Sequence, residues 1–162
     1  MTEDIIFQWV KKSIEIFYEN DSFLIKNGVT ERAITHRIGM YLQQIVGESF
    51  DVDCEYNRMG YLEDEKLYFT EGDYFSKKVC LSEGHVSDES DLGSRVFPDI
   101  IIHKRGTAEN LSIIEIKVNG RNGDKNHDFK KLTRYKSELK YKYAIFIELF
   151  KNKEDVHPQF IT

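Results

Sequence analysis

The chain has 162 residues, of which 40% are hydrophobic and 13% aromatic, and its formal net charge at pH 7 is -5. This composition argues against disorder and for one folded domain over residues 1–162, and the net charge gives no overall electrostatic reason to bind nucleic acid. No apolar run approaches the roughly 20 residues of a membrane span, so we expect a cytoplasmic protein without membrane contact. Its two cysteines are then expected to be reduced thiols.

Two helices are predicted at the start of the chain. The first follows Thr2, a favourable N-cap residue succeeded by two acids, and its apolar residues recur at helical spacing. The second is expected between Thr30 and Gly47. On this second helix Glu31 falls close to the centre of the apolar stripe, so the helix points an acid toward the core side.

Three strands, separated by one insertion, are predicted next. Residues 50–58 alternate polar and apolar side chains, which is typical of a strand with one buried face. Residues 59–94 depart from the pattern, and we interpret them as an insertion with a hairpin near Gly72 and an acidic, serine-rich mobile loop. Residues 95–103 and 111–118 are predicted as the second and third strands, which can form an antiparallel meander with the first.

A helix over residues 128–139 and a strand over residues 141–149 complete the predicted elements. The order helix, three strands, helix, strand (αβββαβ) predicts an α/β protein whose central mixed sheet is flanked by helices. The stretch from Lys104 to Lys153 holds thirteen Lys and Arg against six Asp and Glu, so one end of the molecule is expected to be basic.

The second and third strands carry charges that a buried sheet rarely contains. In FPDIIIHKRGTAENLSIIEIKVNG, residues 97–120, Asp99 lies on one strand, and Glu115 and Lys117 lie on the next. A turn centred near Thr107 would place Asp99 opposite Glu115, with their Cβ atoms about 5 Å apart. Such a pair destabilises a sheet unless a proton or cation lies between the carboxylates, and a hard divalent cation is the simplest solution.

The alternative interpretation is that Lys117 merely neutralises the two acids as a partly exposed charge cluster. The repulsion between the acids also predicts that Asp99→Ala leaves the metal-free fold intact or makes it more stable. Two carboxylates beside an ammonium are, on the other hand, what metal-assisted hydrolysis requires.

The residues Pro98 and Asp99, a spacer, and the triplet from Glu115 to Lys117 resemble the signature of the PD-(D/E)XK nuclease superfamily. The segments TERAITHRIGMYL and VDCEYNR are similar to the helix and first strand of uncharacterised bacterial members, so the resemblance spans most of residues 30–149. It implies a restriction-endonuclease-like core with the same αβββαβ order and an insertion between the first and second core strands.

The resemblance also implies an activity and roles for the site residues. Asp99 and Glu115 would ligate Mg²⁺ or Mn²⁺ with the backbone carbonyl of Ile116, Lys117 would act on the attacking water, and Glu31 would be an additional acid near the metal. The implied reaction is hydrolysis of nucleic-acid phosphodiester bonds, by an endonuclease acting on DNA rather than RNA. Cutting both strands of a duplex with one active site needs two copies or two encounters, which is compatible with a homodimer.

Six further residues are candidates for contact with nucleic acid. Those on the basic helix would lie beside the site, while the two arginines closer to the N-terminus could equally form structural salt bridges. The six are Lys130, Lys131, Arg134, Arg37, Arg58 and His103. Two other functions stay open at this point: a catalytically inactive nucleic-acid-binding module of the same fold, and an interaction module whose acidic insertion binds a protein partner.

Overall fold

The structure, a computed structural model, describes residues 1–56, 61–63, 66–68, 78–79, 94–95, 97–119 and 125–162. Most of the predicted insertion, including its hairpin near Gly72 and its acidic loop, therefore lies outside the described residues, as does Arg58. None of the helices in the described ranges has the length and apolar character that crossing a bilayer demands.

Three helices and nine strands are described, together with a 3-10 turn at Lys153–Asp155. The helices are α1 (Glu3–Lys26), α2 (Glu31–Val46) and α3 (Lys125–Glu138). The strands are β1 (Asp51–Cys54), β2 (Tyr61–Glu63), β3 (Lys66–Tyr68), β4 (Lys78–Val79), β5 (Ser94–Arg95), β6 (Ile100–His103), β7 (Asn110–Val118), β8 (Tyr143–Leu149) and β9 (Gln159–Ile161).

The central sheet has five strands in the order β1-β6-β7-β8-β9. All neighbours are antiparallel except β7 and β8, which are parallel and are connected through α3. The prediction of a mixed α/β sheet with an antiparallel meander is confirmed at this level. The pairs β2-β3 and β4-β5 lie between β1 and β6 in the chain, and β9 was not predicted.

Helices cover both faces of the sheet, and each face has its own apolar core. The larger core joins α1 and α2 to one face, through residues such as Phe17, Ile38 and Ile114. The smaller core joins α3 to the other face, through residues such as Leu132 and Phe146. Alternation along β7 places Glu115 and Lys117 on the α3 face, because they share the parity of Ile113 in the smaller core.

Two details of the strands correct the sequence-based expectation. Tyr56 was expected on the same face as Cys54, but Glu55 has a φ of 52°, which ends β1 and turns Tyr56 toward the α3 core. The ring centroid of Tyr56 lies 4.7 Å from that of His103. The third strand was expected to alternate regularly from Leu111, but a bulge in the β6–β7 register places Leu111 in the α1–α2 core instead.

Gly39 marks a close approach between α2 and β1. A Cβ atom added at Gly39 would lie 2.7 Å from Sγ of Cys54, well inside van der Waals contact. We expect Gly39→Ala to lower the free energy of unfolding by roughly 1 to 3 kcal/mol, although alanine favours a helix. In Cys54→Ala the obstructing sulfur is gone, so Gly39→Ala should cost much less in that background. Urea denaturation of the two single variants and the double variant measures the coupling, and additive losses would contradict this prediction.

Candidate active site at the open edge of β7

Strand β7 continues beyond the point where its neighbour β6 begins, so part of its edge has no partner strand among the residues that the structure describes. Two carboxylates occupy that edge. The amide of Ile116 donates a hydrogen bond to Oδ2 of Asp99 at 2.7 Å, and the amide of Val118 donates one to Oε2 of Glu31 at 3.2 Å. Alternate residues direct their N–H groups to the same side of a strand, so the two acids replace the hydrogen bonds of a missing strand.

Asp99 and Glu31 reach this edge from different parts of the fold. Ile100 pairs with Ile114, and continuing that register by one residue brings Asp99 opposite Glu115. The amide of Glu55 fixes the backbone before β6 by donating to the carbonyls of Pro98 and Asp99, at 3.0 and 3.3 Å. Glu31 is the first residue of α2, which packs on the sheet face opposite α3.

Glu115 is the most deeply buried acid of the site, with a relative exposure of 1%. Its Oε2 accepts a hydrogen bond from Nζ of Lys131 at 2.9 Å, while its Oε1 has no hydrogen-bond partner among the described residues. Burial, and then the charge of Asp99, raise the pKa of Glu115 to about 8. Burial also raises the pKa of Asp99, against the lowering effect of the Ile116 hydrogen bond. Both carboxyls therefore favour a bound proton or a nearby cation.

Lys117 lies between two acids at the margin of the site. Its Nζ is 3.6 Å from Oε1 of Glu31 and 4.0 Å from Oδ2 of Asp128. Asp128 was not predicted as a site residue, yet it is buried, and within the described ranges its Oδ2 has no hydrogen-bond partner. A signal was available in the sequence, because Asp128 precedes the apolar Tyr135 by seven residues and so shares the inward face of α3.

The donor set of the site can be compared with what a divalent cation needs. Among the described residues, no three His, Cys, Asp or Glu side chains form a group that could by itself hold a metal ion. Mg²⁺, however, is commonly bound by one or two carboxylates with water completing its shell, and the partnerless buried Oε1 of Glu115 fits a cation of this kind. The contact seen between Ile116 and Asp99 is through the amide of Ile116, so metal binding by its carbonyl stays a prediction.

Asp99 and Glu31 also line an open groove of about 740 Å³ beside α2. The groove is bounded by the first turns of α2 and by the end of β1, and His36 stands in its wall. Glu115 and Lys117 are not part of its lining. A ligand in the groove would therefore meet Asp99 and Glu31 first.

Two of the residues predicted to contact nucleic acid are paired with other side chains of the fold. Arg37 donates to Asp21 at 2.8 Å and to the hydroxyl of Tyr41 at 2.9 Å, so the structural salt bridge is the role that the structure shows. His103 has a relative exposure of 4%, and its Nε2 lies 2.8 Å from Oδ2 of Asp53. A buried ring in this position does not face solvent, against the expectation that His103 touches a substrate.

The basic residues of α3 differ from one another in their surroundings. Lys131 is paired with Glu115, and its side chain is 21% exposed. Arg134 lies 3.9 Å from Glu138, one turn further along the helix, and Lys130 is exposed. Lys130 and Arg134 therefore stay the candidates for phosphate contact, while Lys131 belongs to the site through its pairing with Glu115.

No family model, curated protein or solved structure matches the chain.

Proposed function

We propose that the protein is a divalent-metal-dependent nuclease with a restriction-endonuclease-like core, and that it hydrolyses phosphodiester bonds in DNA. The observation that supports this most is the buried carboxylate of Glu115, which lies opposite Asp99 on β7 and has one oxygen without a hydrogen-bond partner among residues 1–56, 97–119 and 125–162 and the short described strands between them. Burial raises the pKa of both carboxyls, and the positive charge of Lys117, two residues beyond Glu115 on the same face, opposes that rise. The choice of DNA over RNA comes from the resemblance to the PD-(D/E)XK superfamily.

Each site residue has a definable task in this reaction. Asp99 and Glu115 would hold the metal through the oxygens that Ile116 and Lys131 do not engage. A bound Mg²⁺ or Mn²⁺ supplies a nucleophilic water and neutralises charge that develops on the scissile phosphate. Lys117 would orient the attacking water and help to remove its proton.

The remaining charged groups would position Lys117 and the substrate. Glu31 and Asp128 flank the ammonium of Lys117 and hold it in place by charge attraction. Lys130 and Arg134 would contact the phosphate backbone, and a homodimer would allow both strands of a duplex to be cut.

One observation favours a second candidate function, a catalytically inactive module of the same fold that binds nucleic acid. The ammonium of Lys131 already lies 2.9 Å from the carboxylate of Glu115, so this acid has a cationic partner without any metal. In that case the charges serve stability alone. The module would bind nucleic acid in a salt-dependent manner and would cleave nothing with any divalent metal.

Cleavage of labelled single- and double-stranded DNA and RNA, with Mg²⁺ or Mn²⁺, tests the two candidates. We expect DNA cleavage, and we expect Lys117→Ala to reduce its rate by roughly 10²- to 10⁴-fold, because the attacking water loses its positioned ammonium. Lys104→Ala is the matched control, because Lys104 pairs with Glu109 at the surface and is not part of the site.

The outcomes of this assay separate the two candidates. Binding of DNA without cleavage under either metal would favour the inactive module. Equal rates for the wild type and Lys117→Ala would remove Lys117 from the mechanism.

A further inference from the structure

Lys131 is held between a buried acid and an aromatic ring. It comes from the middle of α3, and its Nζ lies 2.9 Å from Oε2 of Glu115 and 5.4 Å from the centroid of the Tyr135 ring. Asp128 and Tyr135, three residues before and four after it, share its face of the helix. The ion pair and the cation–π contact together fix the ammonium on the inner side of α3.

A divalent metal and the Lys131 ammonium would compete for the same carboxylate. Both are positive, and two cations a few ångströms apart in a poorly solvated site repel each other strongly. Oε1 of Glu115 has no hydrogen-bond partner in the part of the chain that the structure describes, so a metal could approach it before Lys131 leaves Oε2. The lysine side chain is 21% exposed and flexible, which gives its ammonium a route to solvent.

We propose that Lys131 is a built-in counter-cation of Glu115 that a divalent metal displaces, so that this lysine sets the metal affinity of the site. The inference rests on the proposed metal-dependent function.

Two substitutions of Lys131 should change metal affinity in opposite directions. Lys131→Gln keeps a hydrogen-bond donor for Glu115 but removes the competing charge, so Mg²⁺ should bind at least about tenfold more tightly. Lys131→Arg keeps the charge and offers the carboxylate a bidentate partner, so Mg²⁺ should bind at least severalfold more weakly. Lys104→Gln, which removes an exposed charge that pairs with Glu109 away from the site, is the control and should change the affinity little.

Affinities are measured by calorimetry of Mg²⁺ binding at pH 8.5, where protons compete least with the metal, and by the shift in melting temperature with added Mg²⁺. Because Lys131→Arg preserves the ion pair, it gives an answer even if Lys131→Gln fails to fold. The inference is supported if Mg²⁺ binds more tightly to Lys131→Gln and more weakly to Lys131→Arg than to the wild type. If Lys131→Gln does not fold, weaker binding to Lys131→Arg supports it.

Three results would overturn the inference. Unchanged affinity in both variants, or weaker binding in Lys131→Gln, would mean that Lys131 does not compete with the metal. If the wild type cleaves DNA with Mg²⁺ at the same time, only this inference fails. If the wild type and both variants bind no Mg²⁺, the inference fails together with the metal-dependent part of the proposed function.

Discussion

Asp99→Ala and Asp99→Asn are both expected to abolish cleavage, but they should differ in their free energy of unfolding. Both Asp99→Ala and Asp99→Asn remove a carboxylate that would hold the metal, and we expect either to lower the cleavage rate at least roughly 10³-fold. Asp99→Ala also leaves the buried amide of Ile116 without its acceptor at 2.7 Å, so it should lose roughly 1 to 3 kcal/mol of unfolding free energy. Asparagine retains an acceptor oxygen and should keep most of that stability.

This result would revise the expectation drawn from the sequence, which was that Asp99→Ala leaves the fold intact or stabilises it. Both variants relieve the charge repulsion with Glu115, but only Asp99→Ala also loses the hydrogen bond from Ile116. The difference in stability between the two variants therefore measures the contribution of that hydrogen bond. Urea denaturation in metal-free buffer gives that difference. Glu109→Gln, at an exposed acid paired with Lys104, is the control and should behave as wild type. An alanine variant as stable as the asparagine variant would contradict the structural role of Asp99.

The free energy of unfolding should fall as the pH rises from about 4.5 to about 8 in the absence of metal. Over this range the unfolded chain releases the proton of Glu115, whereas the folded protein retains it because burial raises the pKa to about 8. The stabilisation is therefore fully present below about pH 4.5 and is lost as the pH passes through about 8. The pKa difference corresponds to an upper limit on the order of 5 kcal/mol.

Asp21, which is paired with Arg37, should affect the pH dependence of stability in the opposite direction and in a different pH range. Hydrogen bonds from Arg37 lower the pKa of Asp21, so its contribution is present above the ordinary pKa of an aspartate and is lost in stronger acid. Denaturation curves at several pH values in metal-free buffer, for the wild type and Glu115→Gln, isolate the buried acid. The variant should lose most of the slope between pH 4.5 and 8, and excess Mg²⁺ should weaken that slope in the wild type. Stability that rises with pH over this interval in the wild type would show that Glu115 is charged in the folded protein at ordinary pH.

Much of the fold could be predicted because its signals are local. The residue pattern located α2 between Thr30 and Gly47, and the turn near Thr107 predicted the register that the structure shows for Ile100 and Ile114. Strand β9 has three residues, too few for a periodic signal, and is held by pairing with β8. The reversal at Tyr56 depends on a positive φ at Glu55, which a residue pattern does not reveal.

The candidate site was predictable where its residues lie on paired strands and unpredictable where a helix docks against them. Asp99, Glu115 and Lys117 follow from strand alternation and one turn. Lys131 was predicted to face nucleic acid, because a lysine on an amphipathic helix is normally solvated. Only the packing of α3 on β7 shows that it instead meets the carboxylate of Glu115.

The two carboxylates on the edge of β7 also bear on how the protein avoids self-association. An open strand edge presents amides that can pair with a strand from another molecule and so template aggregation. Asp99 and Glu31 occupy the amides of Ile116 and Val118, and they place negative charge where a foreign strand would dock. Loss of both acids would therefore leave the amides of Ile116 and Val118 unpaired and favour aggregation, whether or not the protein cleaves nucleic acid. The same two side chains that line the groove therefore also occupy the amides with which a foreign strand would pair.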